Sequence, residues 1–213
     1  RRSRSRSRAA ARTAVRTAAA AAAAALVLAG CGTDGGGTGG SSGSSGGGGT
    51  QFVEGTGEIT TVPAAKRKTA PVIEGETLQG KPLSLRDHQG KVVVLNVWGS
   101  WCAPCRAEAK HLVKVANDTK DQGVRFIGIN TRDLDPANAE AFERNYRVPY
   151  PSLYDPSGKL VLKFKDSMPP QAIPSTLIID RNGKIAVRAL KALSEDELRK
   201  ALDPIIAENP GTT

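Results

Sequence analysis

The chain has 213 residues, with 30 Lys and Arg against 21 Asp and Glu, which gives a formal net charge of +9 and a pI near 9.7. Much of the basic excess lies at the start, where the first 17 residues contain seven arginines and no acidic residue. The remaining 23 basic and 21 acidic residues leave a net charge of +2. We therefore expect no nucleic-acid partner, since such partners select strongly basic surfaces. The length fits one ordinary globular domain with an additional segment.

Residues 1–30 predict an export signal. An arginine-rich start is followed by the alanine run Ala18–Ala25 and by Leu26-Val27-Leu28-Ala29-Gly30, which is the order of a charged region, a short apolar region and small residues before a cleavage site. The apolar stretch is shorter than the about 20 residues that span a bilayer. Leu28-Ala29-Gly30-Cys31 resembles a bacterial lipobox, after which Cys31 would be lipid-modified and become the mature N-terminus. The alternative is a free Cys31 thiol after an ordinary cleavage.

Residues 31–70 predict a flexible tether. Gly32–Thr50 consists almost entirely of Gly, Ser and Thr, a composition that cannot bury a core. These 19 residues have a root-mean-square reach of roughly 25 Å, enough to hold a domain away from a membrane. We expect residues 51–70 to be loop-like, with the basic cluster Lys66-Arg67-Lys68 on a solvated face. The folded domain is predicted to span residues 71–213.

Strands and helices are predicted to alternate in the first part of this domain. Val92–Trp98 is apolar on both faces, as expected for a central strand in a sheet covered by helices. Further on, apolar residues recur with the spacing of one helix face, and this helix ends by Gly123. The next predicted elements are a strand at Val124–Asn130, a helix from Asp135-Pro136 to about Tyr146, an extended segment at Val148–Tyr154, and a short segment of undecided type at Lys159–Phe164.

The last part of the chain predicts a hairpin and a closing helix. A strand at Thr176–Asp180 leads through a tight turn at residues 181–183 into its antiparallel partner at Lys184–Leu190. Ser194 and Glu197 have the spacing of a capping box at the start of the final helix. Together these elements predict an α/β domain with a mixed sheet.

Two cysteines lie where a predicted strand leads into a helix, in Trp101-Cys102-Ala103-Pro104-Cys105. The first backbone N–H groups of a helix lack partners within it and favour a thiolate at Cys102 over a thiol. Cys105 follows after nearly one helical turn, so it can close a disulfide with Cys102. The spacing therefore predicts a dithiol switch.

Two other interpretations of this cysteine pair compete with the dithiol switch. A zinc site would need two further ligands, and the chain offers only His88, His111 and carboxylates without a second paired spacing, so we expect no metal. The cysteines could also be ordinary core residues. Trp101 beside them, and Pro104 at an early helical position where proline costs little, argue against coincidence.

The segment Asn96–Glu108 reads N-V-W-G-S-W-C-A-P-C-R-A-E and resembles the active-site block of membrane-tethered, extracytoplasmic thioredoxin-like proteins of the TlpA type. The similarity extends from about Pro71 to Pro204 and includes the later segment Ile173-Pro174-Ser175-Thr176. It implies a thioredoxin-like fold with a central mixed sheet flanked by helices. These motifs are specific for the superfamily and much less specific for the substrate.

The resemblance also implies roles for individual residues. Cys102 would be the exposed attacking thiol and Cys105 the buried resolving thiol. Pro174 would follow a cis peptide bond and face the cysteines, with the backbone of Ile173 pairing with an extended substrate segment. Trp101, Ile173 and Pro174 are thus the expected substrate-binding residues.

Glu108 is the charged group that the resemblance assigns to proton transfer. General thioredoxins carry a buried Asp where this chain has Asn96, whereas the extracytoplasmic reductases carry a Glu where this chain has Glu108. Positions three apart on a helix share a face, so Glu108 could lie beneath Cys105. Burial would raise its pKa towards neutrality, as a proton shuttle requires. A solvated glutamate near the helix N-terminus is the alternative.

The expected function is that of a thiol-disulfide oxidoreductase, lipid-anchored on the outer face of the cytoplasmic membrane, monomeric, and acting as a reductant. It would exchange disulfides with extracytoplasmic proteins, among them apocytochrome c by resemblance, and would receive electrons from a membrane dithiol donor. We expect no cofactor beyond the Cys102–Cys105 disulfide.

Three alternatives remain at the level of sequence. One is a peroxiredoxin-like peroxidase, although such enzymes usually lack a second cysteine at the position of Cys105. Another is an oxidant of secreted proteins, because Ala103-Pro104 does not decide the direction of electron flow. The third is a tethered binding module whose cysteine pair is only structural.

Overall fold

The computed structural model describes residues 59–208. The predicted signal, the lipobox with Cys31 and the tether up to residue 58 lie outside the described residues. Within residues 59–208, no helix combines the length and the apolar character needed to cross a membrane.

Eight strands and four α-helices make up the described part of the chain, together with three short 3-10 helices. The strands are β1 (Ile59–Thr61), β2 (Glu74–Glu76), β3 (Pro82–Ser84), β4 (Val92–Trp98), β5 (Val124–Thr131), β6 (Ser152–Asp155), β7 (Ser175–Ile179) and β8 (Ile185–Ala189). The helices are α1 (Ala103–Thr119), α2 (Pro136–Tyr146), α3 (Lys159–Leu162) and α4 (Glu195–Ala207), and the 3-10 helices are Ala64–Lys66, Leu85–His88 and Lys120–Gln122.

A six-stranded mixed sheet forms the centre, in the order β1-β8-β7-β4-β5-β6, while β2 and β3 form a separate antiparallel pair. β4 pairs in parallel with β5 and antiparallel with β7, so the predicted mixed sheet is confirmed. Every residue of β4 is buried. Val93, Leu95 and Val97 pack into the core on one face, whereas Val92 and Val94 pack with α1 and α4 on the other.

Most of the predicted elements are confirmed with small changes at their ends. The hairpin of β7 and β8 and the capping box of Ser194 with Glu197 are both present. The helix after the cysteines ends before Gly123, which has the left-handed φ of 79° that glycine tolerates best. The segment of undecided type begins with the short helix α3, and the extended segment before it contributes β6.

The predicted boundary at Pro71 is wrong, because the fold already begins at β1. β1 pairs antiparallel with β8, and the backbone N–H of Val62 donates to the carbonyl of Ala186 at 2.8 Å. Arg67 is also buried, in contrast to the expected solvated basic cluster. A strand of three residues has too short a pattern to detect, and the acidic partners of Arg67 lie more than 100 residues away in sequence.

Candidate active site

Cys102 and Cys105 form a disulfide at the start of α1, shortly after the end of β4. Their Cα atoms are 5.3 Å apart. Cys102 is the N-cap residue, and its Sγ accepts a hydrogen bond from the backbone N–H of Cys105 at 3.2 Å. Pro104 lies in the first turn, where its missing N–H is not needed. Cys102 therefore occupies the helix N-terminus that the sequence predicted.

The exposure of the two sulfurs differs from the prediction. Cys102 is only 3% exposed and Cys105 2%, so Cys102, the expected attacking cysteine, is as buried as Cys105 in this oxidised state. The covalent bond holds Cys102 against Cys105, in a cluster that also contains Trp98 and Phe142. Trp101, the residue before Cys102, is 48% exposed. The exposed apolar surface at the disulfide is thus that of Trp101 and not that of a sulfur.

The loop before β7 contributes the second part of the site. The Ile173–Pro174 peptide bond is cis, as the resemblance implied. Ile173 packs against the cluster that contains both cysteines. Ser175, which follows, pairs with Val97 at the end of β4. The antiparallel pairing of β4 and β7 therefore brings Pro174 to the end of the sheet that carries the disulfide.

Glu108 is 1% exposed and lies one helical turn after Cys105. The side-chain Nδ2 of Asn96 donates to its Oε1 at 3.0 Å, and the backbone N–H of Leu193 donates to its Oε2 at 2.9 Å. Burial raises the pKa of Glu108 to about 7, although these two hydrogen bonds oppose the rise. The solvated-glutamate alternative is wrong, and the carboxyl can take or release a proton near neutral pH.

Asn96 connects this carboxyl to the loop of the cis peptide. Its Nδ2 also donates to Oγ1 of Thr176 at 3.1 Å, two residues after Pro174. A small cavity lies beside this network and is lined by Asn96, Cys105 and Tyr150, among others. Burial and the charge of Glu108 raise the pKa of Tyr150. The family resemblance marked Asn96 only as the residue that stands where general thioredoxins carry a buried Asp, and it gave no role to Tyr150.

The turn after β5 supplies residues that sequence reasoning missed. Asp133 is 4% exposed, and its carboxylate accepts from the backbone N–H of Ser100 at 2.8 Å and from Nδ2 of Asn130 at 2.7 Å. The neighbouring Leu134 is 88% exposed. A usable signal was the cluster of polar residues where a buried strand ends, a position that often carries function in α/β sheets.

The histidines considered as zinc ligands do not join the cysteines in a metal site. Within residues 59–208, no group of three or more His, Cys, Asp or Glu side chains could hold a metal ion.

The sequence model of the AhpC/TSA family matches residues 67–188, which is more than half of the chain. The chain belongs to the AhpC/TSA family. One relative is the thiol:disulfide interchange protein HelX of Rhodobacter capsulatus. It is 34% identical over 145 residues, which cover 66% of this chain and 76% of HelX. The thiol-disulfide oxidoreductase ResA of Bacillus thuringiensis is 30% identical over 138 residues, covering 65% of this chain and 77% of ResA.

Among solved structures, a secreted thiol-disulfide isomerase from Corynebacterium glutamicum is similar to this family member with a TM-score of 0.69 and 30% identity, covering 74% of this chain and 98% of that one. The thioredoxin-like fold is thus confirmed. The names of the relatives and the cysteine pair agree on protein-disulfide oxidoreductase activity. They favour disulfide exchange over the peroxidase alternative.

Proposed function

We propose that this AhpC/TSA family member is a lipid-anchored reductant of extracytoplasmic protein disulfides. The single observation that carries the exchange chemistry is the Cys102–Cys105 disulfide at the start of α1, with the buried Glu108 carboxyl one helical turn after Cys105. A group that exchanges protons near neutral pH beside the resolving cysteine serves the release step of disulfide exchange.

In the proposed reaction, the Cys102 thiolate attacks one sulfur of a partner disulfide, and the partner's S–S bond breaks. The sulfur that leaves takes a proton, and a mixed disulfide remains between Cys102 and the partner. Cys105 then gives its proton to the Glu108 carboxylate and attacks Sγ of Cys102. The partner's second sulfur leaves as a thiol, and the Cys102–Cys105 disulfide forms, which is the state of the structure. A membrane dithiol donor would return two electrons to it.

The surface beside the disulfide suits an extended partner segment. Trp101 follows Ser100 and Leu134 follows Asp133, and both expose apolar side chains beside the hydrogen bond that joins Ser100 to Asp133. Ile173 supplies the backbone directly before the cis peptide bond. Because exposed apolar side chains next to a reactive centre support protein binding, these residues are the proposed docking surface for the partner.

The N-terminal segment supports the proposed lipid anchor and the proposed extracytoplasmic location. The support for lipidation at Cys31 is the lipobox-like Leu28-Ala29-Gly30-Cys31, and the support for an extracytoplasmic site is the export-type sequence of residues 1–30. The similar isomerase from Corynebacterium glutamicum is itself secreted. Resemblance to TlpA-type proteins supports apocytochrome c as a substrate.

The proposed exchange is tested with two cysteine variants and an insulin reduction assay. Cys102→Ser should abolish insulin reduction, because the attacking sulfur is missing. Cys105→Ser should also stop turnover but should accumulate a mixed disulfide with the substrate, visible on a non-reducing gel and removed by dithiothreitol. A Cys105→Ser protein that still turns over would contradict the assigned roles. Faster consumption of peroxide than of insulin disulfide by the wild-type protein would favour the peroxidase alternative.

A further inference from the structure

The turn at Arg132–Asp133 contacts both segments of the chain that flank the disulfide. Asp133 accepts hydrogen bonds from the backbone N–H and from the hydroxyl of Ser100, two residues before Cys102. Arg132 has a left-handed φ of 61°, and its Nη2 donates to the carbonyl of Pro170 at 3.1 Å, in the loop that leads to the cis peptide. A non-glycine residue at positive φ persists where its surroundings hold it there.

Ser100 is held between groups of opposite charge. Its N–H faces the Asp133 carboxylate, while its carbonyl accepts from Nη1 of Arg106, on α1, at 2.8 Å. Asp133 is almost fully buried, and no ion pair found within residues 59–208 includes it. A buried carboxylate of this kind depends on its hydrogen bonds, and here two of them come from the segment that carries Cys102.

The Asp133 carboxylate lies close enough to Cys102 to influence its charge. Consecutive Cα atoms are about 3.8 Å apart, so two residue steps from Ser100 place the Cα of Cys102 within roughly 12 Å of this carboxylate. At that separation, inside a partly buried site, a negative charge disfavours a second negative charge measurably. The N-terminus of α1 has the opposite effect, because it favours the thiolate.

We propose that Asp133 is a positioning residue for Cys102, fixing its loop through Ser100 and restraining its reactivity through its carboxylate. The inference rests on the disulfide-exchange function, and it concerns a residue outside the Cys102, Cys105 and Glu108 set. Among the other charged or titratable groups on the elements around Cys102 are Arg106 and Glu108 on α1 and Tyr154 on β6, whose hydroxyl donates to the Asp133 carbonyl.

The test compares Asp133→Asn with wild type in the reduced full chain. Asn keeps the shape and can keep hydrogen bonds to Ser100, but it removes the charge. The rate at which iodoacetamide alkylates Cys102, followed by peptide mass spectrometry from pH 4 to pH 9, should rise at pH 6 by about three- to tenfold. The equilibrium with glutathione should move towards the reduced protein, since a more acidic thiol makes the disulfide more oxidising.

Two matched variants separate charge from structure. Ser100→Ala removes one hydroxyl contact and keeps the carboxylate, so its alkylation profile should change less than twofold. Arg106→Ala removes the opposing positive charge from an exposed side chain, so alkylation at pH 6 should become slower. Arg106→Ala also keeps the proposal testable if Asp133→Asn fails to fold. The proposal is overturned if a folded Asp133→Asn has the wild-type profile, or if Arg106→Ala accelerates alkylation. These readouts do not depend on which partner is reduced.

Discussion

At the level of single residues, the chemistry of the site depends on how β4 and α1 surround Glu108. A carboxyl in water ionises near pH 4, but removal from water raises its pKa, and here the amide of Asn96 and the N–H of Leu193 limit the rise. The balance places the Glu108 pKa at about 7, so that both protonation states are populated at working pH. A proton acceptor for Cys105 needs this property.

We predict that Glu108→Gln slows resolution of the mixed disulfide by about 100-fold at pH 7, because the amide cannot accept the Cys105 proton. In the wild type, resolution should accelerate as pH rises through 7, since the carboxylate is the base, and this dependence should disappear in the variant. Stopped-flow measurement with a disulfide peptide substrate separates resolution from the first attack. Equal resolution rates for both proteins at pH 7 would remove Glu108 from the mechanism.

Protein stability provides an independent control for the same group. A carboxyl whose folded pKa is raised from about 4.5 to about 7 costs nothing below pH 4.5, and its cost grows as pH rises to 7. The contribution amounts to about 3 kcal/mol by pH 7.5. The free energy of unfolding of the wild type should therefore fall over this range, and that of Glu108→Gln should fall less, as measured with urea at several pH values.

At the level of elements, the sequence predicted those parts whose signal is local. The strand β4, the cysteines at the start of α1 and Glu108 one turn later all follow from spacing within one short segment. The partners of Glu108 were not predictable in this way, because Asn96 faces it from a strand and Leu193 reaches it from the loop before α4. Asp133 was not predicted for the same reason, since its contact with Ser100 joins two separate loops.

The segment from β1 to Arg67 is the clearest case of long-range contacts that no local sequence pattern predicts. Nη1 of Arg67 contacts Oδ2 of Asp180 at 2.9 Å, and its two terminal nitrogens contact the Glu208 carboxylate at 2.6 and 2.7 Å. Its Nε donates to the carbonyl of Val62 at 3.0 Å. One side chain thus joins the segment after β1 to the end of β7 and to the end of α4.

We predict that Arg67→Ala lowers the free energy of unfolding by about 3 kcal/mol, because it leaves the buried Asp180 without its cation. Lys66→Ala, an exposed neighbour with the same change of charge, should cost less than about 0.5 kcal/mol. Urea unfolding followed by circular dichroism measures both. If the two variants prove equally stable, Arg67 does not anchor the segment.

At the level of the whole molecule, the sheet assembles one reactive end from distant parts of the chain. The cysteines follow β4, the Asp133 turn follows the parallel strand β5, and the cis peptide precedes the antiparallel strand β7, so all three lie at the same end of the sheet. The family match begins at residue 67, well after Cys31. The proposed attachment to the membrane and the disulfide chemistry therefore use separate parts of the chain.

We predict that Cys31→Ser moves the protein from the membrane fraction to the soluble fraction of a bacterium that processes lipoproteins, while insulin reduction by the purified protein stays unchanged. Cys102→Ser should behave in the opposite way, remaining with membranes and losing activity. The separation is expected because lipidation uses the Cys31 thiol and the segment before it, whereas exchange needs the Cys102–Cys105 pair held at the start of α1. A single acyl chain binds membranes only weakly, so stable retention would indicate more than one chain on Cys31. A Cys31→Ser protein that still sediments with membranes would refute the anchor and leave the exchange chemistry intact.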